Sequence, residues 1–315
     1  MRPKKIPVIT GPTATGKTKL AVMLALEFGA EIISADSMQV YRGMDIGTAK
    51  PTSEEMMGVP HHMTDVADPW EKYSVARYVE EASRAAEEII SRGKLPLIVG
   101  GSGLYIDSLI SGRSFAPGPK DDGLRRELSE LYDRIGGEAM LDKLRLADPD
   151  GAGRLNAGDR KRIIRALEVY ELTGRAISEF NRDSNLVPPR FDTVKIALFF
   201  ADRKTLYRRI EKRTDDMVER GLFDEVEKLM PVFSANGNTA AQAIGYKEAA
   251  AALRGEITRE EATELIKRES RRFAKRQMTR LRGDPNIKRI TLDEAGGADY
   301  AFRASIDLLT DETYR

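Results

Sequence analysis

An α/β protein with a parallel-sheet core flanked by helices, interrupted by an all-helical insertion, is the architecture this 315-residue sequence predicts. Three observations carry that expectation. Short apolar runs alternate with helical patterns over the first hundred residues, which places parallel strands in one sheet. A glycine-rich loop ending in lysine and threonine joins the first run to the first helix. Near residue 113 the strand signals stop, and helical patterns take over until residue 193.

Ile6-Pro7-Val8-Ile9-Thr10 is apolar and ends at a glycine, as a buried strand does. Leu20, Met23, Leu24 and Phe28 then recur at helical spacing, with Gly29 as the stop. Residues 31–36 form a second strand that finishes in a polar loop. Residues 74–92 carry Val75, Tyr78, Val79, Ala82, Ala86 and Ile89 on one helical side, with Gly93 at the end. Residues 95–99 are a third strand running into Gly100-Gly101-Ser102-Gly103. Pro117, Gly118 and Pro119 break the chain, and helices follow at 121–135, 137–147, 159–173 and 175–182. Residues 193–200, after Pro188-Pro189, return to the sheet. Helices are expected at 203–230, 240–253 and 258–282. The core is thus assigned to residues 1–113 and 191–315, and the insertion to 114–190.

Composition narrows the function. Hydrophobic residues are 41% and charged residues 32% of the chain, and cysteine is absent. Disulfides, thiolate catalysis and cysteine-based zinc sites are excluded. No apolar run approaches the ~18–20 residues of a membrane span, and the first ten residues are too short in apolar content for a signal peptide. No membrane contact, a cytoplasmic location and a monomer are the expectations. Net charge is +1, from 51 Lys+Arg against 50 Asp+Glu, but it is unevenly spread. Residues 45–88 hold ten acids and four bases, whereas 267–289 hold ten bases and two acids, and 203–213 six bases and one acid. Such segments are either a basic face for phosphates or solvated helix faces, and spacing leaves both open.

Gly11-Pro12-Thr13-Ala14-Thr15-Gly16-Lys17-Thr18 fits the phosphate-loop pattern G-x-x-x-x-G-K-[ST] between a strand and a helix. Its glycines let backbone N–H groups turn inward on a polyphosphate, the helix start adds its positive end, and Lys17 adds a charge. The Thr18 hydroxyl suits Mg²⁺ bridged to phosphate oxygens. The core is therefore P-loop NTPase-like, and the ligand is a polyphosphate that the loop alone does not identify.

The segments after the loop carry a resemblance. Residues 36–51, Asp36-Ser37-Met38-Gln39-Val40-Tyr41 through Ile46-Gly47-Thr48-Ala49-Lys50-Pro51, resemble the D-S-x-Q-x-Y … I-G-T-A-K-P stretch of the tRNA dimethylallyltransferases. Pro60-His61-His62, residues 99–105 (VGGSGLY), 165–169 (RALEV), 242–248 (QAIGYKE) and 275–279 (KRQMT) resemble further motifs of that family, in order along nearly the whole chain. Ser102 stands where the family usually has threonine, keeping the hydroxyl, and Arg280 where it commonly has tryptophan. The cysteine-free chain is similar to the bacterial members, which lack a C-terminal zinc finger.

The resemblance implies transfer of a dimethylallyl group from dimethylallyl diphosphate to N6 of the adenine 3′ of the anticodon, adenosine 37, in tRNA. Asp36 is then the general base for a weakly nucleophilic amine, although an aspartate in this setting also caps turns. Lys17, Mg²⁺ on Thr18 and the loop amides stabilise the leaving diphosphate. Arg213 is the expected further cation there, or else a solvated helix position. Ser37, Met38 and Gln39 are expected to grip the flipped base or its neighbours, with Ser102 bonding the target nucleotide. Arg125, Lys161, Arg162 and Arg165 are expected on phosphates of the anticodon stem-loop, and Gln242, Gly245, Tyr246 and Lys247 on flanking nucleotides. His61 and His62 point oppositely on a strand and are read as packing or loop hydrogen bonds rather than metal ligands. Trp70 is expected to be partly buried. A metabolite kinase, a prenyltransferase of free AMP or ADP, and a non-catalytic RNA-binding protein are the rival readings.

Overall fold

A computed structural model of the chain describes residues 5–112, 121–233, 239–293 and 296–313. The expected breakpoint at Pro117, Gly118 and Pro119 lies outside them. In chain order the first half of the core comprises β1 (Ile6–Thr10), α1 (Lys17–Phe28), β2 (Ala30–Ser34), α2 (Ser53–Met56), β3 (His61–His62), α3 (Val75–Ser91), β4 (Leu95–Val99) and α4 (Gly103–Ile110). A helical segment follows: α5 (Asp122–Ala147), α6 (Pro149–Ala152), α7 (Arg160–Thr173) and α8 (Ile177–Asn185). The core resumes with β5 (Thr193–Phe199), α9 (Arg203–Glu219), α10 (Leu222–Phe233), α11 (Tyr246–Leu253), α12 (Arg259–Arg282), β6 (Ile287–Thr291) and α13 (Gly297–Thr313). Two compact units result, 1–110 with 190–315, and 111–189.

The strands form one parallel sheet in the order β3-β2-β4-β1-β5-β6. β1, β2 and β4 are buried at every position, which is why they are mostly apolar, with Thr10, Glu31 and Ser34 as buried polar members. Each hands its C-terminal end to a loop: β1 to the phosphate loop, β2 to the turn at Asp36, β4 to Gly100-Gly101. β1 lies between β4 and β5, and β2 pairs β4, so these three loops share one rim of the sheet. That rim is where open α/β sheets bind ligands. The helical unit has its own core, including Met140, Leu141, Leu144, Ile163 and Leu167.

Four expectations need correction. The helix expected over 203–230 is two, because Gly221 takes a left-handed backbone (φ 97°) between α9 and α10. The helix expected over 240–253 starts only at Tyr246, after a short 3-10 turn at 240–242 and Gly245 at φ 98°. β6 was not anticipated, since only Ile287 and Ile290 of its residues are buried, and among the described residues it has a sheet neighbour on one side alone. Trp70 is 57% exposed rather than partly buried. Among the described residues no helix is long and apolar enough to cross a membrane.

Candidate active site

The phosphate loop is shaped by contacts at both ends. Gly11 has φ 146°, and a Cβ there would lie 2.7 Å from the Leu198 carbonyl of β5, so only glycine lets β1 and β5 approach so closely. The Thr15 hydroxyl donates to the Pro12 carbonyl (2.9 Å), and Arg209 Nε of α9 donates to the Ala14 carbonyl (2.8 Å). Gly16 precedes α1 with no side-chain cap, leaving the first helical N–H groups open to an anion. Lys17 Nζ donates to the Pro12 carbonyl at 2.7 Å. Burial, and then the nearby Arg213 guanidinium, pull its pKa down to about 7 against the opposing pull of Asp36.

Two adjoining cavities open beside this loop. The smaller, about 90 Å³, is lined by Thr13, Lys17, Thr18, Asp36, Arg213 and Gln277 among others. The larger, about 260 Å³, is lined by Asp36, Ser37, Met38, Ser102 and Gln242, with an apolar wall of Ile210, Met217, Ile244, Ile266 and Phe273. Thr13, Asp36, Thr48, Arg213 and Phe273 belong to both. A cavity lined by Lys17 and Arg213 thus leads into an apolar chamber, with the Asp36 carboxylate at the junction.

Asp36 follows β2 and does two things. Its Oδ1 accepts from the backbone N–H of Met38 (2.9 Å) and, longer, of Gln39 (3.4 Å). Its other oxygen takes no hydrogen bond among the described residues. Capping the turn therefore occupies one oxygen of the side chain and leaves the other free to accept a proton. The Ser102 hydroxyl accepts from Ser37 N–H at 3.0 Å and donates to Ser37 Oγ at 3.2 Å, fastening the β4 loop to this turn.

Arg213 reaches the site from α9. One of its amines donates to the Thr48 carbonyl at 3.5 Å; burial pulls its pKa down, opposed by Asp36 and Glu55. The loop carrying Thr48 is held from two sides. Lys50, 7% exposed, donates to the Tyr41 carbonyl (3.0 Å) and pairs with Asp45 (2.5 Å) and Asp65 (2.6 Å). The Glu225 carboxylate of α10 accepts from the N–H groups of Asp45, Ile46 and Gly47 at 2.7–3.1 Å, and from the Tyr246 hydroxyl at 2.5 Å.

Several expected nucleotide contacts have other employment. The Gln39 amide donates to the Thr48 and Ala49 carbonyls (3.3 and 3.2 Å) and accepts from Ser34 (3.1 Å), so reading a base edge requires breaking those bonds. Tyr246 is fully buried and bonded to Glu225; it positions the loop rather than meeting solvent. Gln242 and Gly245 do line the larger cavity, and Lys247 is exposed, 3.4 Å from Glu248. In the helical unit, Arg125 (2.6 Å) and Arg165 (2.8 Å) both pair with Glu168, which is wholly buried. Their first task is to neutralise that carboxylate. Lys161 is exposed, and Arg162 is 72% exposed with a 3.4 Å contact to Asp159. On α12, Arg271 is tied to Glu211 at 2.5 Å while Lys275 is exposed. Arg280 donates to the Gly103 carbonyl and pairs with Asp107, tying α12 to α4.

Among the described residues no group of three or more His, Cys, Asp or Glu is placed to hold an ion. His61 Nδ1 donates to the Val59 carbonyl (2.8 Å), and His62 Nε2 lies 2.8 Å from Glu31. Gln277, Lys50, Glu225 and the apolar wall were missed from sequence. Gln277 and Lys50 fall inside quoted motifs, so their signal was present without a role; Glu225 and the wall residues lie on helix faces whose partners only the fold reveals.

The family profile described as "IPP transferase" matches residues 39–284, and that described as "Isopentenyl transferase" matches residues 4–64. The tRNA dimethylallyltransferase of Thermoanaerobacter sp. is 46% identical over 291 residues, 92% of each chain. The tRNA dimethylallyltransferase 2 of Geotalea uraniireducens is 48% identical over 92% of this chain and 93% of its own. Among solved structures, the tRNA isopentenylpyrophosphate transferase of Bacillus halodurans aligns with a TM-score of 0.73 and 42% identity, over 98% of this chain and 96% of that one. A eukaryotic dimethylallyltransferase acting on tRNA aligns with a TM-score of 0.81 and 31% identity, over 98% and 80%. With its phosphate loop, its Asp36 turn and its relatives in agreement over nearly the whole length, the chain belongs to the IPP transferase family, that of the tRNA dimethylallyltransferases.

Proposed function

We propose that the protein transfers the dimethylallyl group of dimethylallyl diphosphate to N6 of adenosine 37, next to the anticodon, in tRNA. The observation that carries this reading is the position of Asp36 where the phosphate seat meets the apolar chamber. The diphosphate lies on the loop amides, Lys17 and Arg213, and the five-carbon chain lies against the apolar wall. The flipped adenine enters beside Ser37, Met38 and Ser102. N6 attacks C1 of the prenyl group, the C1–O bond breaks with its electron pair going to diphosphate, and the N6 proton passes to the unpaired oxygen of Asp36. Thr18, whose hydroxyl carries no hydrogen bond among the described residues, has the oxygen donor that Mg²⁺ takes beside ligand phosphates. The ion supplies charge neutralisation for the leaving diphosphate. The cytoplasm, where tRNA is processed, is the proposed location. Labelled dimethylallyl diphosphate with Mg²⁺ and either tRNA or AMP tests the assignment. Label on tRNA is the expected result, and label on AMP alone overturns it.

The lowered pKa of Lys17 makes diphosphate binding pH-dependent. A bound anion raises that pKa, so at pH 6 the amine is protonated before and after binding, and the affinity contribution is complete. Above pH 7 binding must take up a proton, and affinity falls as pH rises, by up to about tenfold per unit. Calorimetry at pH 8 in buffers of different ionisation enthalpy measures the uptake. Lys17→Arg, charged throughout, is the reference that cancels the ligand's own protonation. Equal uptake in both proteins contradicts the shift.

The helical unit is proposed to hold phosphates of the anticodon stem-loop through Lys161 and Arg162. Reversing both to glutamate is expected to lower the slope of log K against log salt by roughly 0.7–0.9 per lost contact. Arg165→Glu is a poor test of the same idea, because it sets a second carboxylate against buried Glu168 and is expected to lower the unfolding midpoint. An unchanged slope in the folded Lys161→Glu/Arg162→Glu protein shows these two charges to be solvated only.

A further inference from the structure

The phosphate loop has a neighbour that its motif does not require. Gln277 of α12 is 8% exposed and lines the smaller cavity. Its Oε1 accepts from the Thr13 backbone N–H at 2.9 Å, and its Nε2 donates to the Gly101 carbonyl at 2.9 Å. The side chain is thus a crossbar between the loop after β1 and the loop after β4. Gly101 makes room for it, since a Cβ at that position would collide with the Gln277 amide.

A polyphosphate on such a loop starts at the uncapped end of α1, near Gly16, Lys17 and Thr18, and runs back along the inward-facing amides toward Thr13. At Thr13 the amide is already taken, and the space before it holds a buried side chain fixed at both ends. We infer that Gln277 is a length stop, which limits the loop to two phosphate groups and so selects a diphosphate donor over a triphosphate. This deepens the reading given above and rests on the diphosphate lying in the loop. Electrostatics alone predicts the opposite preference. A third phosphate brings more negative charge to Lys17 and Arg213, so an unobstructed loop binds the longer anion more tightly. Discrimination against it needs an obstruction, and a buried side chain with both polar ends satisfied is a stiff one, because moving it leaves the Thr13 N–H and Gly101 carbonyl unpaired.

The test compares inorganic diphosphate with inorganic tripolyphosphate, titrated calorimetrically into the full-length protein with Mg²⁺. The wild-type protein is expected to bind diphosphate at least tenfold more tightly. Gln277→Ala and Gln277→Ser, which shorten the crossbar, are expected to shift the ratio at least tenfold toward tripolyphosphate. Wild-type protein that binds diphosphate and tripolyphosphate equally overturns the length stop alone, whether or not the variants fold. So does an unchanged ratio in either folded variant. Failure of the wild-type protein to bind diphosphate at all overturns the loop assignment instead.

Discussion

Lys17→Ala is expected to lower prenyl transfer by about 10²–10³-fold or more, the loss that follows removal of one preorganised donor aimed at developing charge. The diphosphate gains charge as the C1–O bond breaks, and Lys17 is one of two side-chain cations lining that end of the site, with Arg213. Part of the loss will appear as weaker donor binding, and the remainder as slower chemistry at saturating donor. Unfolding is not expected to contribute. An amine held near pKa 7 in the native state, against its ordinary 10.5, binds fewer protons folded than unfolded between those values, so stability rises with pH there and the lysine opposes folding at neutral pH. Its removal should leave the thermal midpoint unchanged or raised, as for other strained functional groups. A variant that melts normally and turns over at near wild-type rate shows that the loop does not hold the donor.

The part of the fold that sequence made legible is the part whose residues answer to local rules. β1, β2 and β4 are buried on both faces and so are mostly apolar, with Thr10, Glu31 and Ser34 the buried polar exceptions, and the phosphate loop is fixed by backbone requirements that only certain residues meet. β6 escaped because it has one sheet neighbour among the described residues and sets two adjacent charges, Lys288 and Arg289, between its isoleucines, which breaks the alternation that marks a strand. The breaks at Gly221 and Gly245 escaped because a lone glycine in a helical pattern is tolerated inside some helices and ends others. At the site, the phosphate-loop pattern identified Lys17, and the family resemblance identified Asp36 and Ser102, but neither revealed the hydrogen bonds that hold each one. Tyr246 and Gln39 look like recognition groups until their partners are known; they are occupied by Glu225 and by the Thr48–Ala49 backbone. Arg165 looks like a phosphate contact until Glu168, 43 positions beyond Arg125, is found buried beneath both. Long-range pairing of this kind leaves no periodic trace.

Asp36→Asn separates proton transfer from architecture better than alanine does. The Asp36 Oδ1 holds the Met38 N–H at 2.9 Å, and an asparagine carbonyl oxygen can accept that bond equally, so the turn carrying Ser37 and Met38 stays in place. What the amide loses is a basic oxygen for the N6 proton. Turnover is expected to fall by about 10²–10⁴-fold, the usual range for loss of a general base, with tRNA affinity nearly unchanged because phosphate contacts supply most of it. Asp36→Ala should show the same chemical loss and in addition weaker tRNA binding, since the turn loses its cap. Single-turnover rates at saturating tRNA, set beside dissociation constants for the two variants, distinguish the two oxygens. If Asp36→Asn keeps its turnover while tRNA binding collapses, Asp36 is a recognition residue, and the proton must leave N6 by another path, through solvent or through Lys17 in its neutral form.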